Sequence, residues 1–142
     1  MEISKQLEAN KAICQRFFQE LHNNQNLEII DALVDHDVIS HDPFPGQAAG
    51  ANGLKNTMRM FREAFPDLHV EILDMLAEGD RVMSRLRVSG THRGAFLDMS
   101  PTGNAVTYDE VIILRLANGK IVEHWAVADA LSLMQGIGAG AQ

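Results

Sequence analysis

Apolar residues in the first half of the chain recur at helical spacing. The clearest run places them at i, i+4, i+7 and i+11: Leu54, Met58, Phe61 and Phe65. Asn52 is a candidate N-cap for this helix. Pro66 would end it, because proline disfavours the helical conformation of the residue before it.

Two further helices are predicted nearer the N-terminus. The first would bury one side made of Leu7, Ile13, Cys14, Phe17, Phe18 and Leu21. The second is shorter, with Asn26 as its N-cap, and its apolar positions are Leu27, Ile30, Leu33 and Val34.

From Leu68 onward apolar and polar residues alternate, which is typical of strands with one buried face. The alternation predicts a short strand near Val38–His41 and longer strands at about 68–77, 81–92, 104–117 and 120–128. A final helical turn over Ala130–Gln135 follows Asp129. Helices followed by strands indicate an α+β fold. Three N-terminal helices on a curved antiparallel sheet would form a cone with an open mouth.

Composition narrows the class of protein. A chain of 142 residues with 46% hydrophobic content fits a single domain spanning 1–142, with a frayed tail at 136–142. The net charge of −7 disfavours nucleic-acid and anionic-membrane partners. The single cysteine, Cys14, excludes an internal disulfide framework. Since the N-terminus does not resemble a signal peptide and no apolar run approaches the roughly 20 residues of a membrane span, we expect a cytoplasmic protein.

Five segments of the chain match the motifs of a known family. They are Ser40–Pro43, Gly90–Phe96, Ser100–Gly103, Leu114–Trp125 and Leu133–Gly138. In this order they resemble the SnoaL-like polyketide cyclases (ester cyclases), in the superfamily that also includes ketosteroid isomerase and nuclear transport factor two. The resemblance runs from about Lys11 to Gly138 and implies the cone-shaped, cystatin-like fold of that superfamily.

The resemblance also implies a reaction, an intramolecular aldol condensation that closes a ring without a cofactor or metal. In the characterised cyclases an aspartate directly follows a His-Trp-like pair and acts as acid and base. That position here is Ala126, after His124 and Trp125. A histidine that assists from the neighbouring strand falls on Ile112.

Glu110 is the most informative single residue, because it interrupts an otherwise apolar strand face. The residues that share this face are Val106, Tyr108, Ile112, Leu114 and Leu116. A buried carboxylate without a partner is costly, so a cavity base with a raised pKa is one interpretation. The alternatives are an edge position that reaches water, or an ion pair with an arginine such as Arg85.

His124 is the candidate that would polarise a substrate carbonyl, and the hairpin at Asn118–Gly119 decides which face it occupies. A two-residue loop pairs Ala117 with Lys120 and puts His124 opposite Ile113, away from Glu110. A three-residue loop with a bulge at Gly119 pairs Leu116 with Lys120 and puts His124 opposite Ile112, on the face of Glu110. Turn propensity slightly favours the two-residue loop, but the resemblance favours the bulge, and on that basis we predict the bulged register.

Asp129 is the remaining candidate acid or base, although it also stands where a helix N-cap belongs. Residues predicted to contact substrate are His41, Met58, Phe61, His92, Tyr108, Trp125 and Ala126. For His41 and His92 a structural role in turns and loops is the alternative. None of the six histidines has the spacing of a metal-binding pair, so no metal site is expected. That no cofactor is needed is what the resemblance implies.

These residues support three hypotheses about function. The first is proton-transfer chemistry (aldol cyclisation, isomerisation or dehydration) on a small apolar carbonyl compound, with Glu110 or Asp129 as the base. The second is a ligand-binding module without catalysis, which the apolar Ala126 and Ile112 favour. The third is a hydrolytic or hydration enzyme. The outer sheet face is expected to carry apolar side chains that would pack a homodimer: Val111, Ile113, Trp125 and Val127.

Overall fold

Helices occupy the first part of the chain and long strands the second. The computed structural model describes residues 2–138. Its elements are α1 (Glu2–Phe18), a π-helical turn (Gln19–Asn23), α2 (Ile29–Leu33), β1 (Val34–Ser40), α3 (Gly50–Ala64), β2 (His69–Glu78), β3 (Arg81–Thr91), β4 (Ala105–Ala117), β5 (Lys120–Ala128) and α4 (Ala130–Gly136). The α+β class is confirmed. No helix among the described residues is long and apolar enough to cross a membrane.

The five strands form one open, curved sheet in the order β1-β5-β4-β3-β2. Neighbours from β2 to β5 are antiparallel, as predicted, but β1 runs parallel to β5. The sheet is therefore mixed. The chain leaves β1 at one edge and crosses through α3 to reach β2 at the other edge. Register shifts in three of the four strand pairs bend the sheet, since a bulge increases local twist.

Both predicted asparagine caps are wrong. Helix α2 begins at Ile29 after Glu28, so Asn26 lies outside it, where its carbonyl accepts from the Ile29 N–H at 3.2 Å. Helix α3 begins at Gly50 after Ala49, which leaves Asn52 within the first turn. A contact with β1 accompanies this start, because Gly50 has a φ of 75° and a side chain there would lie only 2.7 Å from the His36 carbonyl oxygen. Tertiary packing thus overrides the capping preference.

The core lies between the concave face of the sheet and the helices. Alternate residues of β3 and β4 point into it, and α1 covers them with Cys14, Phe17 and Phe18. Helix α4 closes one end of the core. Its last residue is Gly136, and Ile137 is only 1% exposed, so the predicted frayed tail does not begin at Gly136. The remaining tail positions, 139–142, lie outside the described residues.

Candidate functional site

A cavity of about 490 Å³ opens between the concave face and helices α1, α3 and α4. Most of its wall is apolar, including Phe17 and Phe18 of α1 and Met58 and Phe61 of α3. The polar residues on the wall are His22, Asp42, Gln47, Thr57, Tyr108, Glu110 and His124. An apolar cavity with a few convergent polar groups is the usual form of a small-molecule site.

The turn between β4 and β5 is the two-residue loop that was the alternative to the predicted bulge, but the register further along the strands differs from both expectations. Asn118 and Gly119 have φ values of 52° and 75°, the positive φ angles of a two-residue type I′ turn, and Ala117 pairs with Lys120. The predicted bulge at Gly119 is therefore wrong. A bulge lies instead at Val122, between the Leu116–Ile121 and Arg115–Glu123 pairs.

This bulge turns His124 onto the concave face. His124 pairs with Leu114, and Ala128 pairs with Glu110. The conclusion that Glu110 and His124 share one face therefore stands, although the register that was expected to produce it does not. Both residues line the cavity.

Glu110 is a carboxylate on the cavity wall without a cation. Burial raises its pKa from 4.5 to about 7. The predicted alternative, an ion pair with Arg85, is not formed, because Arg85 lies on the convex face and pairs with Asp74 at 3.2 Å. Tyr108 lines the same wall, and its pKa is raised by burial and by the charge of Glu110, so its hydroxyl stays protonated.

His124 is a neutral imidazole beside the cavity mouth. Burial lowers its pKa, and the nearby Asp42 carboxylate offsets part of that shift. Its Nδ1 atom is buried and has no hydrogen-bond partner within residues 2–138. Asp42 is held at the edge of β5, where its Oδ2 accepts from the Ala126 N–H at 2.9 Å.

Asp129 does not belong to the cavity. It is exposed at the N-terminus of α4, where its carboxylate accepts from the Ser132 N–H at 3.1 Å and from the Ser132 hydroxyl. These hydrogen bonds lower its pKa. Asp129 is therefore the N-cap that the sequence offered as the alternative role, and it is not placed to act as a base.

His41 and Trp125 lie on the convex face rather than in the cavity. Their rings stack with centroids 4.6 Å apart and an interplanar angle of 8°. His41 Nε2 pairs with Glu123 at 2.7 Å, and the Arg81 guanidinium lies 4.8 Å from the Trp125 ring centroid. The reason is the alternation of β5, since Trp125 follows the inward-facing His124.

His92 is fully buried outside the cavity. Its Nδ1 accepts from the Thr102 N–H at 3.2 Å, and its ring packs 5.7 Å from that of Phe65. It therefore ties down the loop that follows β3. Of the residues predicted to contact substrate, the structure brings four to the cavity wall: Met58, Phe61, Tyr108 and Ala126.

Two wall residues, His22 and Asp42, were not predicted to face a ligand. His22 lies four residues after Phe18, on the buried side of the first helix, and that spacing was a usable signal. Asp42 follows His41 in the chain, but His41 pairs with Glu123, whereas the Asp42 carboxylate accepts from the Ala126 N–H beside the cavity. Within the described range 2–138, no three His, Cys, Asp or Glu side chains come together as potential metal ligands.

Comparison with known proteins places this fold and cavity in a family. The SnoaL-like polyketide cyclase family matches residues 12–137. The chain belongs to this family. No curated protein sequence matches the chain.

Solved structures of the SnoaL-like superfamily superimpose over nearly the whole chain. AclR of Streptomyces galilaeus, provisionally described as a hydroxylase, is 31% identical, with 96% of this chain and 85% of AclR covered and a TM-score of 0.85. A protein of Bacillus cereus, provisionally described as a polyketide cyclase, is also 31% identical, with 92% and 80% covered and a TM-score of 0.79. A SnoaL-like protein of Jannaschia is 25% identical, with 93% of each chain covered and a TM-score of 0.82.

In this SnoaL-like chain, two positions where the resemblance implies polar side chains are neighbours in the sheet. Ile112 and Ala126 pair across β4 and β5, and both line the cavity. The family's acid/base position is thus part of the wall but carries a methyl group. Glu110, one pleat further along the same face, is the nearest inward-facing carboxylate on the strand β4.

Proposed function

We propose that this protein is an enzyme that transfers protons on an apolar carbonyl compound, and that Glu110 is its base. The observation that carries the proposal is the Glu110 carboxylate, which lies on a mostly apolar cavity wall without an ion-pair partner among residues 2–138 and has a pKa raised to about 7. A general base works best when its pKa lies near the working pH. Such a group is ionised in part at neutral pH and is basic enough to remove a proton next to a carbonyl.

A ring closure needs one proton to be removed and one returned. Glu110 removes a proton from the carbon beside a carbonyl, and the enolate carbon then attacks a second carbonyl of the same molecule to form a carbon–carbon bond. The carboxylic acid of Glu110 gives its proton to the alkoxide oxygen that this attack creates. The proton is therefore conserved, and no further reagent is consumed.

Hydrogen-bond donors in the cavity would stabilise the enolate oxygen. Tyr108 keeps its proton because its pKa is raised, and its hydroxyl lies on the strand face of Glu110. A neutral His124 has one N–H to donate to the carbonyl, and the Asp42 carboxylate nearby favours positive charge on that ring. Fixed donors in an apolar site are effective because they need no reorganisation.

The second candidate function is ligand binding without reaction. Ala126 and Ile112 favour it, since they make an apolar wall where the family's cyclases carry polar groups. The two candidates differ in one measurable property, which is exchange of the protons next to the carbonyl of a bound ketone.

The test is deuterium exchange into 2-tetralone, a small apolar ketone, followed by mass spectrometry in buffered D₂O. We expect the protein to accelerate exchange and Glu110→Gln to slow it by about 10²-fold or more while 2-tetralone still binds. The matched control is Asp109→Asn, which changes the neighbouring carboxylate on the convex face, where it pairs with Arg87. Its exchange rate should stay within about threefold of that of the unaltered protein.

Two outcomes would contradict the proposal. Equal exchange rates for the unaltered protein and Glu110→Gln would exclude Glu110 as the base. Binding of 2-tetralone without accelerated exchange would support the ligand-binding module instead.

A further inference from the structure

The first helix of the chain does not end as a regular α-helix. After Phe18 the backbone widens into the π-helical turn, which carries His22 near its end. A π-helical turn is less stable than an α-helical one, and such turns occur often at functional sites. This turn brings His22 to the wall of the cavity.

Two side chains, Asn23 of the turn and Arg62 of α3, tie the π-helical turn to its surroundings. The Asn23 amide donates to the Val70 carbonyl at 3.0 Å and accepts from the Val70 N–H at 2.8 Å, so it continues the edge of β2. Arg62 of α3 donates to the Gln25 carbonyl at 3.1 Å and to the Leu21 carbonyl. The position of the imidazole at residue 22 is therefore set before any ligand binds.

The hydrogen bonds of His22 define which of its nitrogens is free. Its Nδ1 lies 3.2 Å from the Phe18 carbonyl oxygen, which can only accept, so Nδ1 carries the proton. Burial lowers the pKa of His22 to about 4, and the nearby Arg62 and His69 add to this. The ring is thus neutral at pH 7, and Nε2 has a lone pair.

Nε2 makes no hydrogen bond within the part of the chain that the structure describes, and it is not among the fully buried atoms that lack a partner, so it stays accessible from the cavity that His22 lines. A ligand that fills the cavity displaces water from Nε2, and this acceptor then lacks a partner unless the ligand supplies a proton donor. A carbonyl oxygen cannot do so, whereas a hydroxyl can.

We infer that His22 is a ligand-binding residue whose Nε2 accepts a hydrogen bond from a hydroxyl group of the substrate. The inference rests on the proposed function, which it deepens: the substrate is an apolar molecule that carries a hydroxyl as well as the carbonyl that faces Glu110. His22 belongs to α1 and its π-helical turn and Glu110 to the sheet, so the two groups would contact the ligand from different walls.

The test compares three probes by calorimetry at pH 7: 2-tetralone, 6-hydroxy-2-tetralone and 6-methoxy-2-tetralone. We expect the hydroxy probe to bind about fivefold more tightly than the methoxy probe, the range of one net hydrogen bond. His22→Phe should reduce this ratio to about one and leave the affinity for 2-tetralone within about twofold. His22→Gln, which restores an acceptor near the Nε2 position, should recover part of the preference.

The matched control is His36→Phe, which makes the same change at an exposed histidine of β1 that does not line the cavity. It should keep the preference for the hydroxy probe. Thermal unfolding of each variant checks that the fold is intact, and the ¹⁵N chemical shift of Nε2 provides a readout without substitution. That shift should move when the hydroxy probe binds and stay unchanged with the methoxy probe.

Equal affinity of the unaltered protein for the hydroxy and methoxy probes would overturn the inference. So would a full hydroxyl preference in His22→Phe. Either result leaves the exchange assay at Glu110 unaffected, because 2-tetralone has no hydroxyl. Conversely, the unaltered protein could prefer the hydroxy probe and yet fail to accelerate deuterium exchange into 2-tetralone. That result would contradict the proposed chemistry and support the role of His22.

Discussion

Two neighbouring carboxyl groups on opposite faces of the sheet have pKa values shifted in opposite directions. Asp109 and Glu110 are adjacent on β4 and point to opposite sides. On the convex face, Asp109 accepts from Arg87 at 2.9 and 3.2 Å, and this lowers its pKa. On the concave face, burial raises the pKa of Glu110 to about 7. The environment, and not the residue type, separates a structural ion pair from a candidate base.

The histidines show the same contrast. His41 on the convex face pairs with Glu123 through Nε2 and stacks on Trp125, so both that nitrogen and the ring face are in contact with other residues. His124 on the concave face has a lowered pKa and a buried Nδ1 without a partner in the range 2–138. The histidine on the convex face is therefore held by neighbouring side chains, whereas the one on the concave face keeps a nitrogen without a partner.

The largest expected effect concerns assembly through the convex face. Val127 and Leu76 are 75% and 62% exposed there, among arginines and acids that could pair with those of a second copy. Light scattering at micromolar concentration should give twice the chain mass of 15.7 kDa, and Val127→Lys should restore the single-chain mass. Leu131→Lys, at a 67% exposed position on α4, should leave the dimer intact. A monomeric unaltered protein would contradict this proposal.

The next largest effect is the loss of unfolding free energy when a phenylalanine of the core, rather than one of the cavity wall, is replaced by alanine. Phe65 is 1% exposed in the core and does not line the cavity, whereas Phe61, one turn earlier on α3, is partly buried on the cavity wall. Phe65→Ala should therefore cost about 3–5 kcal/mol of unfolding free energy. Phe61→Ala should cost about 1–2 kcal/mol, because the ring already borders open space. If urea unfolding gave the same loss of unfolding free energy for both variants, the distinction between Phe65 as a core residue and Phe61 as a wall residue would be wrong.

The smallest effect tests the buried carboxylate through stability. The folded-state pKa of Glu110, about 7, lies above the ordinary 4.5, so the folded protein favours the protonated form and loses stability as pH rises between these values. Glu110→Gln removes this loss. Its stability relative to the unaltered protein should rise by roughly 1–3 kcal/mol between pH 5 and pH 8. Asp109→Asn should show no such gain, because the pKa of Asp109 is lowered. Urea unfolding at four pH values measures both.

Local sequence patterns predicted the four long strands and the C-terminal end of α3, but not the pairing of β1 or the start of α3. The alternation of apolar residues located β2 to β5 to within about two residues, because each strand carries its own buried face. Pro66 marked the end of α3 because its effect is local. The parallel pairing of β1 with β5 and the start of α3 were not predictable in this way, since both depend on contacts between distant segments.

The site was predictable where one residue contradicts its surroundings. Glu110 is visible as a carboxylate in an apolar face. The spacing of His22 from Phe18 places it on the buried side of the first helix, but it does not show that the π-helical turn brings the ring to a cavity wall. The placement of His41 and Trp125 depended on the exact pairing of β5, which sequence spacing alone leaves open.

The bulge at Val122 has a consequence for how such a site can change over evolution. Ile121 and His124 both face the concave side although their numbers differ in parity, because one extra residue inverts every later position of the strand. Insertion or deletion of a single residue here would exchange the side chains of the two faces beyond this point. Trp125 would then point into the cavity and His124 would point away from it. A change in strand length of one residue could therefore redesign the cavity in a way that no single substitution can.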